Sequence, residues 1–353
     1  MNMTIEGFSN STLKDILQNI LGFQPMGLPI LITITAIYAI MFTTGILGNA
    51  LVCVVIVKQP NMRTATNFYL FSLATADIII LLSGIPLELY EYWNNMLWGL
   101  GEAACKMRMY VLEIASYVSV LTIVAFSMER YLAICHPLHA YAMSGLRRAS
   151  RIVAAIWLVS IACAIPFYII TRIFDYYVQR PESAIEKLST CQMEFVKLGS
   201  FPVFETSCVV FFVIPLSILL IMYTQIGLVV SRRKNIGESQ NNASSQKPVI
   251  MMLSAVVVSF FVCWAPFHAQ RIFSNYINEL GASPEVNQWL YIVTGFSYYI
   301  SSTSNPILYN IMSERYRNAF KTLICGYKRP PSLPTSPISP TSETSMTNFG
   351  KFA

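Results

Sequence analysis

Polar positions are unevenly spread along this chain. Seven long apolar stretches alternate with shorter polar ones, at roughly 29–57, 66–92, 103–135, 149–170, 200–231, 248–274 and 286–312. Each reaches the ~20 residues that an α-helix needs to cross a bilayer. The pattern predicts an all-α membrane protein, a seven-transmembrane helix bundle over residues 29–312. An odd number of crossings puts the two chain ends on opposite sides. Residues 313–325 (SERYRNAFKTLIC) alternate basic residues with Tyr316, Phe320, Leu323 and Ile324 at helical spacing, which predicts a short amphipathic helix lying on the membrane surface. Residues 1–28 read as an N-terminal tail and 326–353 as a disordered tail rich in Pro, Ser and Thr. The long polar-aromatic segment 171–199 reads as a functional loop across the bundle mouth.

Composition changes this picture little. The hydrophobic share is 54% and the charged share 12%, about half the charge of a soluble domain. The placement of Lys and Arg gives an orientation. Lys58, Arg63, Arg147, Arg148, Arg151, Arg232, Arg233, Lys234, Lys247, Arg315, Arg317 and Lys321 fall on one face, expected in the cytoplasm. Glu91, Glu102, Asp175, Glu182, Glu186, Glu194, Glu279 and Glu285 fall in the opposite loops. The N-terminus is thus expected outside a plasma membrane and the C-terminus inside. The net charge of +6 is a topology signal, not a sign of nucleic-acid binding.

No basic-then-apolar leader with a cleavage site is visible, so the first span is expected to be its own anchor. Asn2 and Asn10 head glycosylation sequons in the outer tail, whereas Asn242 heads one on the inner side and is expected to stay bare. Among the eight cysteines, Cys105 and Cys191 both face the oxidising side and form a candidate disulfide. Cys325 ends the surface helix, where palmitoylation is expected.

The rare polar residues inside the spans are the candidate chemistry. Asp77 lies mid-span, where a carboxylate is expensive. Ser119, Ser301, Ser302 and Asn305 come from other spans at matching depth. Together they read as an oxygen-lined site for sodium or as a structural hydrogen-bond network, two readings that can coexist. Glu129-Arg130-Tyr131 closes the third span as a candidate latch in which Arg130 pairs with Glu129 in one state. Pro306 frees a backbone carbonyl in the seventh span, which Asn305 is expected to help satisfy. Trp264 and Pro266 put a bulky ring beside a second kink, and Pro215 and Pro166 complete the set.

One anchor per span occurs in order: Gly48-Asn49, Leu73-Ala74-x-Ala76-Asp77, Glu129-Arg130-Tyr131, Trp157, Pro215 with Tyr223, Cys263-Trp264-x-Pro266 and Asn305-Pro306-x-x-Tyr309. With these the chain resembles the rhodopsin-like (class A) G-protein-coupled receptors over nearly all of residues 30–325. The resemblance implies an agonist between the outer halves of the helices and a heterotrimeric G protein at the inner end. It also implies sodium at Asp77, Ser119, Ser302 and Asn305, and a switch set of Arg130, Tyr223, Phe260, Trp264, Pro266, Pro306 and Tyr309. Arrestin and receptor kinases would read the Ser/Thr-rich tail.

Two absences narrow the ligand. Leu112 stands where amine receptors of the family carry Asp, and Tyr299 where opsins carry the retinal Lys. Glu113, Glu88 and Arg271 remain as ionic groups that helical spacing turns toward the bundle mouth. Two acids and one base favour a ligand with a basic side chain and a polar carbonyl end, unless an acid simply pairs with Arg271. Tyr117, Phe195, Phe267, His268, Tyr291, Phe296 and Tyr299 are candidate lining. The acid–acid–base set is similar to that of the neuromedin U, pyrokinin and CAPA peptide receptor group. That implies a short peptide ending in Pro-Arg-X-amide and coupling to Gq with calcium release. Receptors for an ecdysis-triggering hormone, or ghrelin- or neurotensin-like peptides, are the alternative. A transporter or channel would need a polar path across the whole membrane, and an enzyme a metal set or nucleophile elbow; neither is visible, so no enzymatic activity is expected.

Overall fold

A computed structural model of the chain describes residues 2–5, 25–138, 145–179, 185–194, 202–235, 240–280, 284–312 and 314–325. Seven long helices follow in order. They are α1 (Leu28–Lys58), α2 (Ala65–Trp93), α3 (Gly101–Cys135), α4 (Leu146–Ile170), α5 (Val203–Cys208 continuing through Val209–Val213 and Ile214–Asn235), α6 (Gln240–Leu280) and α7 (Pro284–Met312). The short helix α8 (Glu314–Cys325) comes last. Each long helix takes up one of the seven apolar stretches, the fifth from Val203 onward. α6 differs most, because residues 240–247, which read as loop, are helical.

Among the described residues, five helices, α1 to α5, are apolar and long enough to cross a membrane. α6 and α7, at 41 and 29 residues, have the length as well. α7 carries several polar positions, and Thr294, Ser301, Ser302 and Asn305 among them are buried. The outside of the bundle is the reverse. Ile40 and Leu47 of α1 are each 64% exposed and Leu158 of α4 is 67% exposed. Water would penalise that arrangement, and hydrocarbon would not.

Local sequence explains several helix ends and bends. Thr64 caps α2 by accepting from the Asn67 backbone N–H. In α5 a π-helical turn, Val209–Val213, comes just before Pro215, which has no N–H to donate. In α7, Pro306 cannot bond the Ser302 carbonyl one turn back. Asn49 Nδ2 of α1 donates to that carbonyl at 3.0 Å and to the Gly45 carbonyl at 2.9 Å. This corrects the sequence reading: Asn49, not Asn305, satisfies the group that the proline frees. Gly48 makes the approach possible, since a Cβ there would lie 2.9 Å from Pro306 Cβ.

The described parts of the segment after α4 are more regular than an open loop. They form a hairpin of β2 (Thr171–Gln179) and β3 (Ile185–Met193), antiparallel with Ile173 opposite Cys191. β1 (Asn2–Ile5) joins the edge of β2 in parallel, with Asn2 opposite Asp175. Cys105 at the head of α3 is bonded to Cys191 of β3. Trp98 packs on this disulfide, and its backbone N–H donates to the Ser189 carbonyl at 2.7 Å. The sheet is thereby fastened over one end of the bundle. On its solvent side, Ser189 and Lys187 hold the Asp175 carboxyl below its ordinary value of 3.8.

At the opposite end, α8 buries Tyr316 and Ala319 and exposes Arg317 and Lys321, as an amphipathic surface helix should. It is tied back by Gln59 Nε2, which donates to the Ala319 carbonyl at 2.9 Å. The side chains of Asn2, Asn242 and Cys325 lie outside the described residues, as do Asn10 and the tail 326–353.

Candidate ligand site

A cavity of about 120 Å³ opens beneath the hairpin. Its wall includes Glu88, Arg108, Glu113, Phe267, Arg271, Tyr291 and Tyr299, with Met193 of β3 reaching down from the sheet. Five of the expected ligand residues besides Arg271 therefore surround one space. Tyr117, His268 and Phe296 do not line it. Tyr117 turns toward α5, where it stacks on Phe211 at 3.6 Å and hydrogen-bonds Ser207 at 2.8 Å. His268 packs between Phe212 and Trp264. Phe296 packs on Tyr38 at 4.8 Å. Phe195 lies outside the described residues.

The three acids near the cavity have different partners. Glu113 of α3 pairs with Arg271 of α6. The Arg271 guanidinium also lies over Phe267, Phe167 and Phe204, at 4.9, 5.0 and 5.4 Å from the ring centroids. Cation–π attraction from three faces strengthens where water is excluded. Of the two possible pairings with Arg271, the chain makes the one to Glu113.

Glu88 of α2 is held by hydroxyls instead. Its Oε1 accepts from Tyr38 at 2.7 Å and from Tyr92 at 2.8 Å, and its Oε2 from Tyr299 at 2.7 Å. The carboxylate so joins α1, α2 and α7. Gly295 leaves room for it, because a Cβ there would come within 2.9 Å of Glu88 Oε1.

Glu91 needs a correction. It reads as a loop acid, but α2 carries it inside the bundle, where it meets Arg108 of α3 at 2.6 Å. Both side chains are nearly closed to solvent, at 4% and 2%. Arg108 also lies over Trp98, 5.8 Å from the ring centroid. Sequence reading passed over Arg108 altogether. A basic residue three positions after the cysteine that heads α3 was the available signal.

Deeper in the bundle, Asn305 Nδ2 donates to Asp77 Oδ2 at 2.8 Å, and Ser302 also bonds that carboxylate. Ser119 Oγ is buried with no hydrogen-bond partner among the described residues. Ser301 instead accepts from Trp264 Nε1 at 2.9 Å. A carboxylate with an unsatisfied hydroxyl at the same depth is a donor set that suits a hard cation such as sodium. Trp264 stacks on Phe260 at 5.0 Å, two helical turns below Arg271.

At the far end Glu129 pairs with Arg148 of α4 and accepts from Tyr69 at 3.2 Å. Arg130 donates to Thr66 Oγ1 at 2.8 Å. Tyr131 donates to Gln225 at 2.6 Å, and Tyr223 meets Ser127 at 3.3 Å. Pro306 is buried, and Tyr309 packs on Tyr316 at 5.8 Å. Pro266 is half-buried on α6.

The chain matches the family model of the 7 transmembrane receptor (rhodopsin family) over residues 48–309. It is 36% identical to the pyrokinin-1 receptor of Drosophila melanogaster, an alignment covering 85% of this chain and 81% of that one. It is 34% identical to neuromedin-U receptor 2 of Homo sapiens, with 84% and 72% covered. A neuromedin U receptor homologue of Caenorhabditis elegans is 35% identical, with 92% and 86% covered.

Proposed function

Because this chain belongs to the rhodopsin family of seven-transmembrane receptors, which are multi-pass plasma-membrane receptors and not enzymes, we propose that it senses a short amidated peptide ending in Pro-Arg-X-amide. The hairpin end faces outward and α8 lies on the cytoplasmic side. A heterotrimeric G protein, of the Gq class with calcium release, engages the inner end around Arg130. Sodium at Asp77 favours the resting state.

One observation carries the ligand class, the charge count at the cavity. Glu113 and Arg271 neutralise each other, as do Glu91 and Arg108. Glu88 remains, and its hydrogen-bond partners among the described residues are three tyrosine hydroxyls. The site is therefore one negative charge in excess. A ligand bringing one guanidinium and no terminal carboxylate balances it. Relatives named for pyrokinin and neuromedin U support the peptide class. The cavity's ~120 Å³ is below the ~300 Å³ of ordinary ligand pockets. The Glu113–Arg271 bridge must therefore shift when the peptide enters, and α6 moves with Arg271.

The test is calcium release in cells expressing the chain, on adding a synthetic peptide ending in Pro-Arg-Leu-amide. The expected result is a saturable response, weakened at least tenfold when citrulline, neutral and of the same shape, replaces the arginine. Equal potency of the citrulline peptide would overturn the charge argument. Silence to every amidated Pro-Arg-X peptide would overturn the ligand class.

A further inference from the structure

The Arg108–Glu91 pair is not needed to explain recognition of a cationic side chain, yet Arg108 lines the same cavity as Glu88 and Glu113. Its hydrogen bonding is incomplete. Glu91, 2.6 Å from Nη1, and Tyr291 both bond the guanidinium, but Nε is buried with no partner among the described residues. A buried unsatisfied N–H costs about 1–3 kcal/mol, so a group that accepts from it gains by docking there. Arg108 is also placed for this by its surroundings. The disulfide at Cys105 fixes the start of α3 three residues earlier, and Trp98 covers the guanidinium.

The chemistry of the acceptor follows from Glu91. An isolated arginine in a dry cavity would prefer a carboxylate. Arg108 is already neutralised, so a second carboxylate would gain little attraction from it. That carboxylate would also stand near Glu91, Glu88 and Glu113, and like charges in a low-dielectric site repel strongly. A neutral carbonyl oxygen accepts the same N–H without that cost. We infer that Arg108, masked by Glu91, is the subsite that takes the peptide's terminal carboxamide oxygen and rejects the free acid. This rests on the peptide reading above. It goes further by assigning the terminal group to α3 and the selectivity to a residue of α2 that the ligand does not touch. Arg108 is then a binding residue and Glu91 a positioning and masking one.

The experiment compares a synthetic peptide ending in Pro-Arg-Leu-amide with its free acid, on wild type and on Glu91→Gln and Arg108→Gln, with surface display measured in parallel. In Glu91→Gln the unmasked guanidinium should welcome the carboxylate, and the amide-to-acid potency ratio should fall at least tenfold. In Arg108→Gln the amide peptide should lose at least tenfold in potency, and the acid should stay weak. A purely structural strut would shift both peptides equally, so an unchanged ratio in displayed Glu91→Gln overturns the inference. A ligand-side comparison on wild type covers the case in which a variant fails to reach the surface. The methyl ester, which keeps the carbonyl oxygen, should stay within a few-fold of the amide. The analogue with a methyl group in place of the carboxamide should lose at least tenfold, and its equal potency overturns the inference. A wild type silent to all these peptides overturns the peptide reading and this one with it. A responsive wild type with the wrong ratios overturns this one alone.

Discussion

Each end of the bundle holds an acid from α3 paired with an arginine from another helix, and the two pairs differ in burial. Glu113 and Arg271 are 6% and 12% exposed, and Arg271 is packed among three phenylalanine rings. Glu129 and Arg148 are 20% and 25% exposed. Removing one partner of a buried pair costs about 3–5 kcal/mol, whereas pairs reached by solvent contribute about 0–1 kcal/mol. The ligand end therefore changes state only when an incoming group replaces the lost partner. The opposite end, more open to solvent, should exchange partners at lower cost than the ligand end, as the proposed engagement of a G protein would require. On the proposed function, signalling would run from the more buried contact to the more exposed one.

That contrast can be tested at four points. Glu113→Gln should weaken a Pro-Arg-Leu-amide peptide about 100-fold, about 2.7 kcal/mol at 1.36 kcal/mol per decade, compared at matched surface display. Equal potency in the variant and the wild type would place Glu113 outside the ligand contact. Asp77→Asn should remove the difference in agonist affinity between sodium and a matched larger cation, which is expected to be about fivefold or more. Sodium-specific dependence that survives the change would argue against the cation reading. Arg148→Ala should raise basal nucleotide exchange by no more than about fivefold. A larger rise, read as nucleotide exchange on purified receptor in nanodiscs, would mean that breaking the inner pair costs no less than breaking the outer one.

The smallest effect concerns the sheet. Asp175 has its carboxyl held below the ordinary value by Ser189 and Lys187, so its contribution is present above pH 4 or so and disappears as pH falls through the lowered value. Asp175→Asn should abolish any acid-induced loosening of the hairpin, measured by hydrogen exchange of residues 171–179 between pH 5 and pH 3. A loosening that persists in the variant would point to another group.

Much of the architecture could be read along the chain. Seven apolar runs of bilayer length have few folded solutions, because a backbone in hydrocarbon must satisfy its own hydrogen bonds and a helix does so within one segment. The anchors Asp77, Trp264, Pro306 and the adjacent Glu129 and Arg130 were likewise visible, since a charge, a proline or a lone indole in an apolar run stands out by type alone. What each polar group bonds to was not visible. Asn49 meeting the Ser302 carbonyl, three tyrosines meeting Glu88 and Arg108 meeting Glu91 all join residues from different helices. Helical spacing states which way a side chain points on its own axis, not how far that axis lies from the next or how it is turned. The hairpin was hidden for a related reason. Strand pairing is set by register between distant segments, and the Cys105–Cys191 bond and the Trp98 contact that hold it close only once α3 and the sheet are side by side.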